Sequence, residues 1–296
     1  MLPEIQSVQL GEATIAYRAW GEAPAPAILF WHPIGTVVSG AYAGEIAPIL
    51  VEHGFRVIAL DGPGHGGSRT LPPEDYALPG ITDLAASFVY ELGLEKLVWM
   101  GHSWGAMVGA HFAARFPTLL RALVLLDAGH SDPQDQPGFV PGLGLDDFVE
   151  RATAQLAVRW PDRDAFVADA KDGAPRWTPE LEEALCGSVA GENGELRPNI
   201  DPHGRAYALS GLYSASISET WPALAASHLP ILLLVATEPP EQEQFRARSV
   251  EQSAPRCRTP TCSASRVPAT TCCSTRGRTS PAASASGSRA RSSRRA

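Results

Sequence analysis

The chain has 296 residues, of which 44% are hydrophobic and 19% are charged, and its formal net charge is −8. This length is enough to bury the core of one large domain or two small ones, and no apolar run reaches the roughly 18 residues of a membrane helix. An acidic chain is not expected to bind nucleic acid or a membrane, and the N-terminus lacks the basic and apolar regions of a signal peptide, so we expect a cytoplasmic protein.

The elements predicted from periodicity alternate along the chain. Alternating residues predict a hairpin over 5–10 and 13–20. Short apolar runs and helical spacing then predict strands at 27–31, 56–60, 97–100, 122–126 and 231–235, with helices at 41–52, 81–92 and 104–116. This order predicts an α/β fold in which a mostly parallel sheet carries helices on both faces.

About a hundred residues separate the last two predicted strands, which is too many for a simple crossover. Helical spacing recurs there at 147–160, 163–169 and 179–186. We therefore expect residues 131–219 to form a helical cap over the carboxyl edge of the sheet, where open α/β sheets bind ligands. The core is then 1–130 and 220–250. A surface insertion without a role in binding is the alternative.

Residues 101–105 read Gly-His-Ser-Trp-Gly and match the pattern G-x-S-x-G between a predicted strand and a predicted helix. In that setting Ser103 occupies a strained turn that exposes its hydroxyl, and glycines at 101 and 105 avoid clashes within the turn. The helix N-terminus behind it offers free N–H groups to a developing oxyanion. The motif predicts that Ser103 is a catalytic nucleophile.

Two further motifs precede this one in the chain. Residues 32–35 (His-Pro-Ile-Gly) follow one buried strand, and residues 61–68 (Asp-Gly-Pro-Gly-His-Gly-Gly-Ser) follow the next. With these motifs in this order, the chain resembles the α/β-hydrolase family over residues 5–250. The resemblance implies a helical cap inserted after the sixth strand, an oxyanion hole made by the backbone N–H groups of Ile34 and Trp104, and no cofactor.

A serine at position 103 separates this chain from the haloalkane dehalogenases and epoxide hydrolases of the same family, which use aspartate. It implies an acyl-enzyme formed from a small ester, lactone or related acyl substrate. A binding protein that keeps the fold without turnover is the alternative function. Cofactor-free chemistry such as C–C cleavage or perhydrolysis at the same serine is a third reading that the sequence does not separate from hydrolysis.

A serine nucleophile requires a base and an orienting acid, which follow it in the order acid, then histidine, in the family that this chain resembles. Asp127 and Glu238 are equal candidates for the acid. All eight histidines precede the strand predicted at 231–235, so the base is missing from its expected place. His130 or His203 could approach from the cap side.

The tail, residues 251–296, differs from the rest of the chain. It holds nine Arg against one acidic residue, a charge of +8, which leaves −16 for the first 250 residues. It also holds four of the five Cys, no aromatic residue and one branched aliphatic residue, Val267, so we expect it to be disordered. The arginines could bind nucleic acid or anionic lipid, and the cysteines could bind a metal. Both are weaker interpretations, because neither explains why the tail stands where the family has its catalytic histidine.

Back-translation of the tail suggests a shifted reading frame. Read from the third base of the Pro255 codon with mostly GC-ending codons, the tail can encode A-L-P-D-A-D-V-Q-R-I-P-G-A-G-H-D-L-L-L-D-A and, further on, R-I-G-E-W-L. The first stretch is similar to the family's last strand and histidine loop, and the second to its closing helix. Without that last strand, we expect the strand at 231–235 to become an exposed apolar edge.

Overall fold

The computed structural model describes residues 2–35, 38–174, 176–192, 194–237, 240–253 and 263–267. Its strands are β1 (Gln6–Leu10), β2 (Ala13–Trp20), β3 (Ala27–Trp31), β4 (Arg56–Leu60), β5 (Leu97–His102), β6 (Leu120–Leu126), β7 (Val189–Glu192), β8 (Glu195–Pro198), β9 (Ile231–Ala236) and β10 (Ser263–Val267). Its helices are α1 (Ser39–Ala43), α2 (Ala47–Glu52), α3 (Leu78–Glu91), α4 (Trp104–Arg115), α5 (Leu145–Gln155), α6 (Arg163–Gly173), α7 (Pro179–Cys186), α8 (Pro202–Tyr213), α9 (Trp221–Ser227) and α10 (Glu243–Ser253).

One sheet organises the core, with strand order β1-β2-β4-β3-β5-β6-β9-β10. β1 pairs antiparallel with β2, and β2 pairs antiparallel with β4, whereas every pairing from β4 to β10 is parallel. The predicted α/β fold with a mostly parallel sheet is therefore confirmed.

Helices cover both faces of this sheet because successive side chains of a strand point to opposite sides. In β3, Leu29 and Trp31 belong to a core cluster that includes residues of α3, α4 and α9. Ile28 and Phe30 point the other way and pack with Ala43 of α1 and Ala47 of α2. The five residues of β3 are all buried, as expected for a strand covered on both sides.

The helix predicted over 41–52 is instead two helices, α1 and α2, separated by a turn at residues 44–46. Proline lies in the first turn of α2, where its missing N–H costs nothing but the helix cannot continue back through it. The helical spacing of the apolar residues continues through the break, so periodicity alone did not reveal it.

The insertion, defined here as residues 131–219, contains α5 to α8 and a separate hairpin of β7 and β8. The hairpin and α8 were not predicted from the sequence. In α8 the glycines at 204 and 211 weaken the helical signal, yet both are required by packing. A Cβ at Gly204 would lie 2.6 Å from the Cα of Gly64, and one at Gly211 would lie 2.2 Å from the carbonyl oxygen of Tyr76.

The insertion is held to the loop after β4 by backbone hydrogen bonds. The N–H of Asp201 donates to the carbonyl of Gly64 at 2.8 Å, and the N–H of Gly66 donates to the carbonyl of Asn199 at 2.8 Å. The hydroxyl of Thr70 also donates to the Asp201 carboxylate. These contacts fix the start of α8 above the core.

The strand β10 corrects one expectation about the tail. It pairs in parallel with β9, from Ser263 beside Leu232 to Val267 beside Ala236, so the prediction that the strand at 231–235 forms an exposed edge is wrong. The tail does supply a last strand, because the hydrogen bonds of a sheet come from the backbone and tolerate a sequence with little apolar content. Residues 254–262 and 268–296 of the tail lie outside the described residues.

Among the helices of the described residues, none is long and apolar enough to cross a membrane.

Candidate active site

Ser103 occupies a sharp turn between β5 and α4, with φ 51° and ψ −109°. This left-handed backbone is strained for a residue with a side chain. A Cβ at Gly101 would lie 2.1 Å from the carbonyl oxygen of Gly105, and a Cβ at Gly105 would lie 2.2 Å from the carbonyl oxygen of Trp31. The turn can therefore form only with glycine at both positions, as expected for a nucleophile elbow.

The backbone of Ser103 is fixed on both sides. Its N–H donates to the carbonyl of Leu126 at 3.2 Å, and its carbonyl accepts from the N–H groups of Ala106 and Met107, both at 3.0 Å. These bonds join the turn to β6 and to the first turn of α4. The Ser103 side chain is half-buried and makes no hydrogen bond within the described part of the chain.

The two predicted oxyanion donors lie at the ends of neighbouring strands. Trp104 is the first residue of α4, and Ile34 follows β3, which pairs with β5. Neither N–H donates to an acceptor among the residues that the structure describes. Both N–H groups are therefore available to an oxyanion in the described part of the chain. Their role as an oxyanion hole stays a prediction.

Two buried histidines support the loops around these donors. The Nε2 of His32 accepts the N–H of Gly62 at 2.9 Å, which ties the loop after β3 to the loop after β4. The His32 and His65 rings lie 4.6 Å apart, and both contact the Trp104 ring. Burial lowers the pKa of His32 to about 4 and that of His65 well below its ordinary value, so both rings are neutral near pH 7.

A cavity of about 120 Å³ lies over Ser103. The core contributes Ser103, Met107 and Ala128 to its lining, and the insertion contributes Pro133, Gln136, Pro137, Gly138, Phe139, Leu212 and Tyr213. The Phe139 and Tyr213 rings stack with centroids 5.0 Å apart. The insertion therefore closes over Ser103, and the enclosed space is smaller than the roughly 300 Å³ of a typical ligand pocket.

Asp127 lies directly after β6, beside Ser103 along the carboxyl edge of the sheet, because His102 and Leu126 are partners in the β5–β6 pairing. Its φ is 49°. Its Oδ1 accepts the N–H of Ala236 at 2.9 Å and lies 3.4 Å from the Nε of Arg246. Glu238, the other candidate acid, lies outside the described residues.

The two histidines considered as substitute bases differ in their surroundings. His130 follows Asp127 by three residues and is 5% exposed, and neither ring nitrogen meets the geometry of a hydrogen bond to a described residue. Burial lowers the pKa of His130, and the charge of Asp127 partly opposes this effect. His203 is exposed at the start of α8, 3.6 Å from the carboxylate of Asp201. Neither histidine bonds to Ser103 in the part of the chain that is described.

Two partly or fully buried arginines were not predicted from the sequence. Arg246 in α10 pairs with Asp127, and Arg205 in α8 is partly buried in the insertion. Nothing in the sequence distinguishes either from the other arginines, because burial of a charged side chain depends on the packing of distant segments. Within the described residues, no group of three or more His, Cys, Asp or Glu could hold a metal ion.

Comparisons with known proteins agree with this architecture. The family model described as "alpha/beta hydrolase fold" matches residues 26–177. A protein of Mycobacterium phage D29 that carries the name of a non-heme haloperoxidase is 39% identical over 101 residues, which cover 34% of this chain and 35% of that protein. The human serine hydrolase-like protein is 32% identical over 114 residues, which cover 38% of this chain and 55% of that protein.

The chain thus spans between about a third and about half the length of these two relatives. A solved structure of an alpha/beta hydrolase from Novosphingobium aromaticivorans superposes with a TM-score of 0.65 at 18% identity, covering 90% of both chains. At this identity the likeness concerns the fold alone.

Proposed function

Because this chain belongs to the alpha/beta hydrolase fold family, we propose that it is a serine hydrolase that cleaves a small ester, lactone or related acyl substrate through an acyl-enzyme at Ser103. The observation that carries this proposal is the turn at Ser103, with its φ of 51° and its two obligatory glycines. Strain of this kind is retained where it serves a function, here the exposure of a nucleophile. We propose no cofactor.

In the proposed reaction, the Oγ of Ser103 attacks the acyl carbonyl while a base takes its proton. The N–H groups of Ile34 and Trp104, which donate to no acceptor among the described residues, bind the oxyanion of the tetrahedral intermediate, and the N-terminus of α4 adds its dipole. Loss of the alcohol or thiol leaves the acyl group on Ser103, and water then releases the acid. The cavity of about 120 Å³ favours a small acyl group.

We propose Asp127 as the acid. It lies beside Ser103 along the sheet edge, and its carboxylate is oriented by the N–H of Ala236. A histidine between Ser103 and Asp127 would complete the triad.

The base is missing from the described residues, and we propose that the shifted reading frame of the tail encodes it. β10 supports this reading, because Ser263–Val267 runs parallel to β9 at the edge where the family's last strand is expected. In the shifted frame the codons of β10 encode Arg-Ile-Pro-Gly, so the strand-like stretch Ala-Asp-Val-Gln-Arg-Ile overlaps β10 only at its end and is followed by Pro-Gly-Ala-Gly-His. Sequencing the genomic DNA around codons 240–260 tests this directly, and a clean read of the present frame, shared by close relatives, would overturn it.

The activity is tested with a fluorophosphonate probe and p-nitrophenyl esters on two proteins, the present chain and a version with the frame restored. We expect the restored protein to label and turn over at least about 100-fold faster than the present chain, because the base is essential to the nucleophile. Ser103→Ala abolishes both signals, whereas Ser87→Ala, at an exposed serine of α3, leaves them unchanged. A restored protein that neither labels nor turns over would refute the serine hydrolase.

A binding protein without turnover is the second candidate. The absence of a histidine bonded to Ser103 among the described residues favours it for the present chain. It predicts that the restored frame brings no activity. Turnover by the present chain that depends on Ser103 would instead contradict the missing base.

A further inference from the structure

In the described part of the chain, the cavity over Ser103 is lined by uncharged side chains. Besides Ser103 itself, Gln136 and Tyr213 bring polar side-chain atoms to this lining. The other side chains are apolar, namely those of Met107, Ala128, Pro133, Pro137, Phe139 and Leu212. A substrate group that enters this space therefore meets no charged side chain among the described residues.

The charged side chains next to this lining are engaged with other groups. Asp127 and Asp132 each directly precede a lining residue. Asp127 pairs with Arg246, so that guanidinium already has its counter-ion. The Asp132 carboxylate accepts the N–H groups of Ile217 and Ser218. A carboxylate on the substrate would lose its hydration in the cavity without gaining a counter-ion, so the site disfavours a charged acyl group.

Rings and hydrogen bonds hold the insertion side of the cavity in place. The Tyr213 ring contacts the Phe139 ring, which is stacked on it, and the Phe148 ring, which meets it edge-on, both with centroids 5.0 Å away. The Nε2 of Gln134 donates to the carbonyls of Tyr213 at 2.9 Å and Ala215 at 3.3 Å, which joins the start of the insertion to its end. Because these contacts fix the lining, the size of the cavity limits what it accepts.

The size of the cavity corresponds to a short acyl group. Its volume is about 120 Å³. A dry protein cavity of roughly 150 Å³ holds benzene, with its six carbons. By this comparison, the space over Ser103 holds about five non-hydrogen atoms, the number in a butyryl group. The acyl group is the part of the substrate that needs this space, because it stays bonded to the Oγ of Ser103 after the alcohol has left.

We propose that this site selects uncharged acyl groups of at most about four carbons, and that Leu212 sets this length limit. The inference rests on the serine hydrolase proposed above. Leu212 lies in the last turn of α8, where its side chain both lines the cavity and packs against the main core cluster. Shortening this side chain therefore enlarges the cavity without changing Ser103 or its turn.

The first test measures binding to the present full chain and needs no turnover. NMR titration compares butyramide with hexanamide, which is two carbons longer, and with succinamate, which has the length of butyramide and ends in a carboxylate. We expect butyramide to bind at least tenfold more tightly than either. In Leu212→Ala, hexanamide is expected to bind at least as tightly as butyramide. Leu209→Ala, the same change at a residue of α8 outside the described lining, keeps the wild-type order.

The reversed order of affinities separates a cavity wall from a structural residue, because a general loosening of the fold lowers all affinities together. Leu212→Phe provides a second variant, which fills the cavity and is expected to weaken butyramide binding at least tenfold. The proposal would be overturned by equal binding of butyramide and hexanamide in the wild type, by succinamate binding as tightly as butyramide, or by no butyramide binding. A wild-type order in Leu212→Ala or unchanged butyramide binding in Leu212→Phe would also overturn it.

The hydrolase and the length limit fail separately. On the frame-restored protein, p-nitrophenyl butyrate is expected to turn over at least tenfold faster than the hexanoate, and Leu212→Ala is expected to remove this difference. No turnover of either ester by the restored protein, with butyramide binding intact, would refute the hydrolase alone. Equal turnover of butyrate and hexanoate would refute the length limit alone.

Discussion

Asp127 and Arg246 form an ion pair, with 3.4 Å between the carboxylate Oδ1 and the guanidinium Nε, at the end of β6 beside Ser103. The Arg246 side chain is 8% exposed and that of Asp127 is 22% exposed. The pair ties α10 to the carboxyl edge of the sheet. It also places a cation against the carboxylate that a catalytic histidine would have to contact, so Arg246 and such a histidine compete for the same group.

We expect Arg246→Gln to destabilise the fold by about 1–3 kcal/mol, because it leaves the Asp127 carboxylate without its cation. Urea unfolding of Arg246→Gln, Asp127→Asn and the double variant measures this. The double variant is expected to lose less than the sum of the single variants. Arg248→Gln, at an exposed position of the same helix, is the control with little effect. Strictly additive losses would show that the pair contributes nothing.

Gly105→Ala is expected to deform the turn at Ser103, because its Cβ would lie 2.2 Å from the carbonyl oxygen of Trp31. The expected loss of stability is about 2–4 kcal/mol, together with loss of fluorophosphonate labelling in the frame-restored protein. Gly144→Ala is the matched control, since its φ is −87° and its nearest contact is 3.6 Å away. A Gly105→Ala protein with normal stability and labelling would contradict the described turn.

Gly204→Val is expected to loosen the insertion from the core, because a side chain there meets the Cα of Gly64 at 2.6 Å. Overpacking of this kind costs about 1–3 kcal/mol. Limited proteolysis should then cut the insertion faster than in wild type, while His203→Ala, an exposed neighbour on α8, keeps the wild-type pattern. An unchanged rate of cleavage in Gly204→Val would mean that this contact does not hold the insertion.

Stability depends on pH through histidines whose pKa is lowered in the folded state. Burial lowers the pKa of His102 to about 4, so its ring stays neutral in the folded state while the unfolded chain takes up a proton below about pH 6.5. The free energy of unfolding therefore falls as the pH drops from about 6.5 to about 4, by up to about 1.4 kcal/mol per pH unit for this residue. Asp61 acts in the opposite direction, since burial raises its pKa to about 6.

His102→Gln measures this contribution. The free energy of unfolding of the variant should fall less steeply between pH 6.5 and 4 than that of the wild type. Urea unfolding at each pH measures this. His53→Gln, at an exposed histidine, should leave the slope as it is in wild type. An identical slope in His102→Gln would contradict a ring that stays neutral in the folded state.

The sequence by itself determined the alternation of strands and helices, the parallel sheet and the turn at Ser103. These features depend on neighbours in the chain, namely the period of apolar residues and the glycines at 101 and 105. Helix α8 was not predicted, because its glycines at 204 and 211 weaken the local helical pattern. These glycines are required by close contacts with residues far away in the chain.

Only the tertiary structure decided which groups meet. The pair of Asp127 and Arg246, the closure of the insertion over Ser103 and the pairing of β10 with β9 join segments far apart in the chain. The burial of two guanidinium nitrogens of Arg205 is of the same kind, since nothing in the neighbouring sequence distinguishes it from an exposed arginine. Burial and electrostatic partners arise from packing between distant segments, so composition and periodicity do not encode them in a readable form.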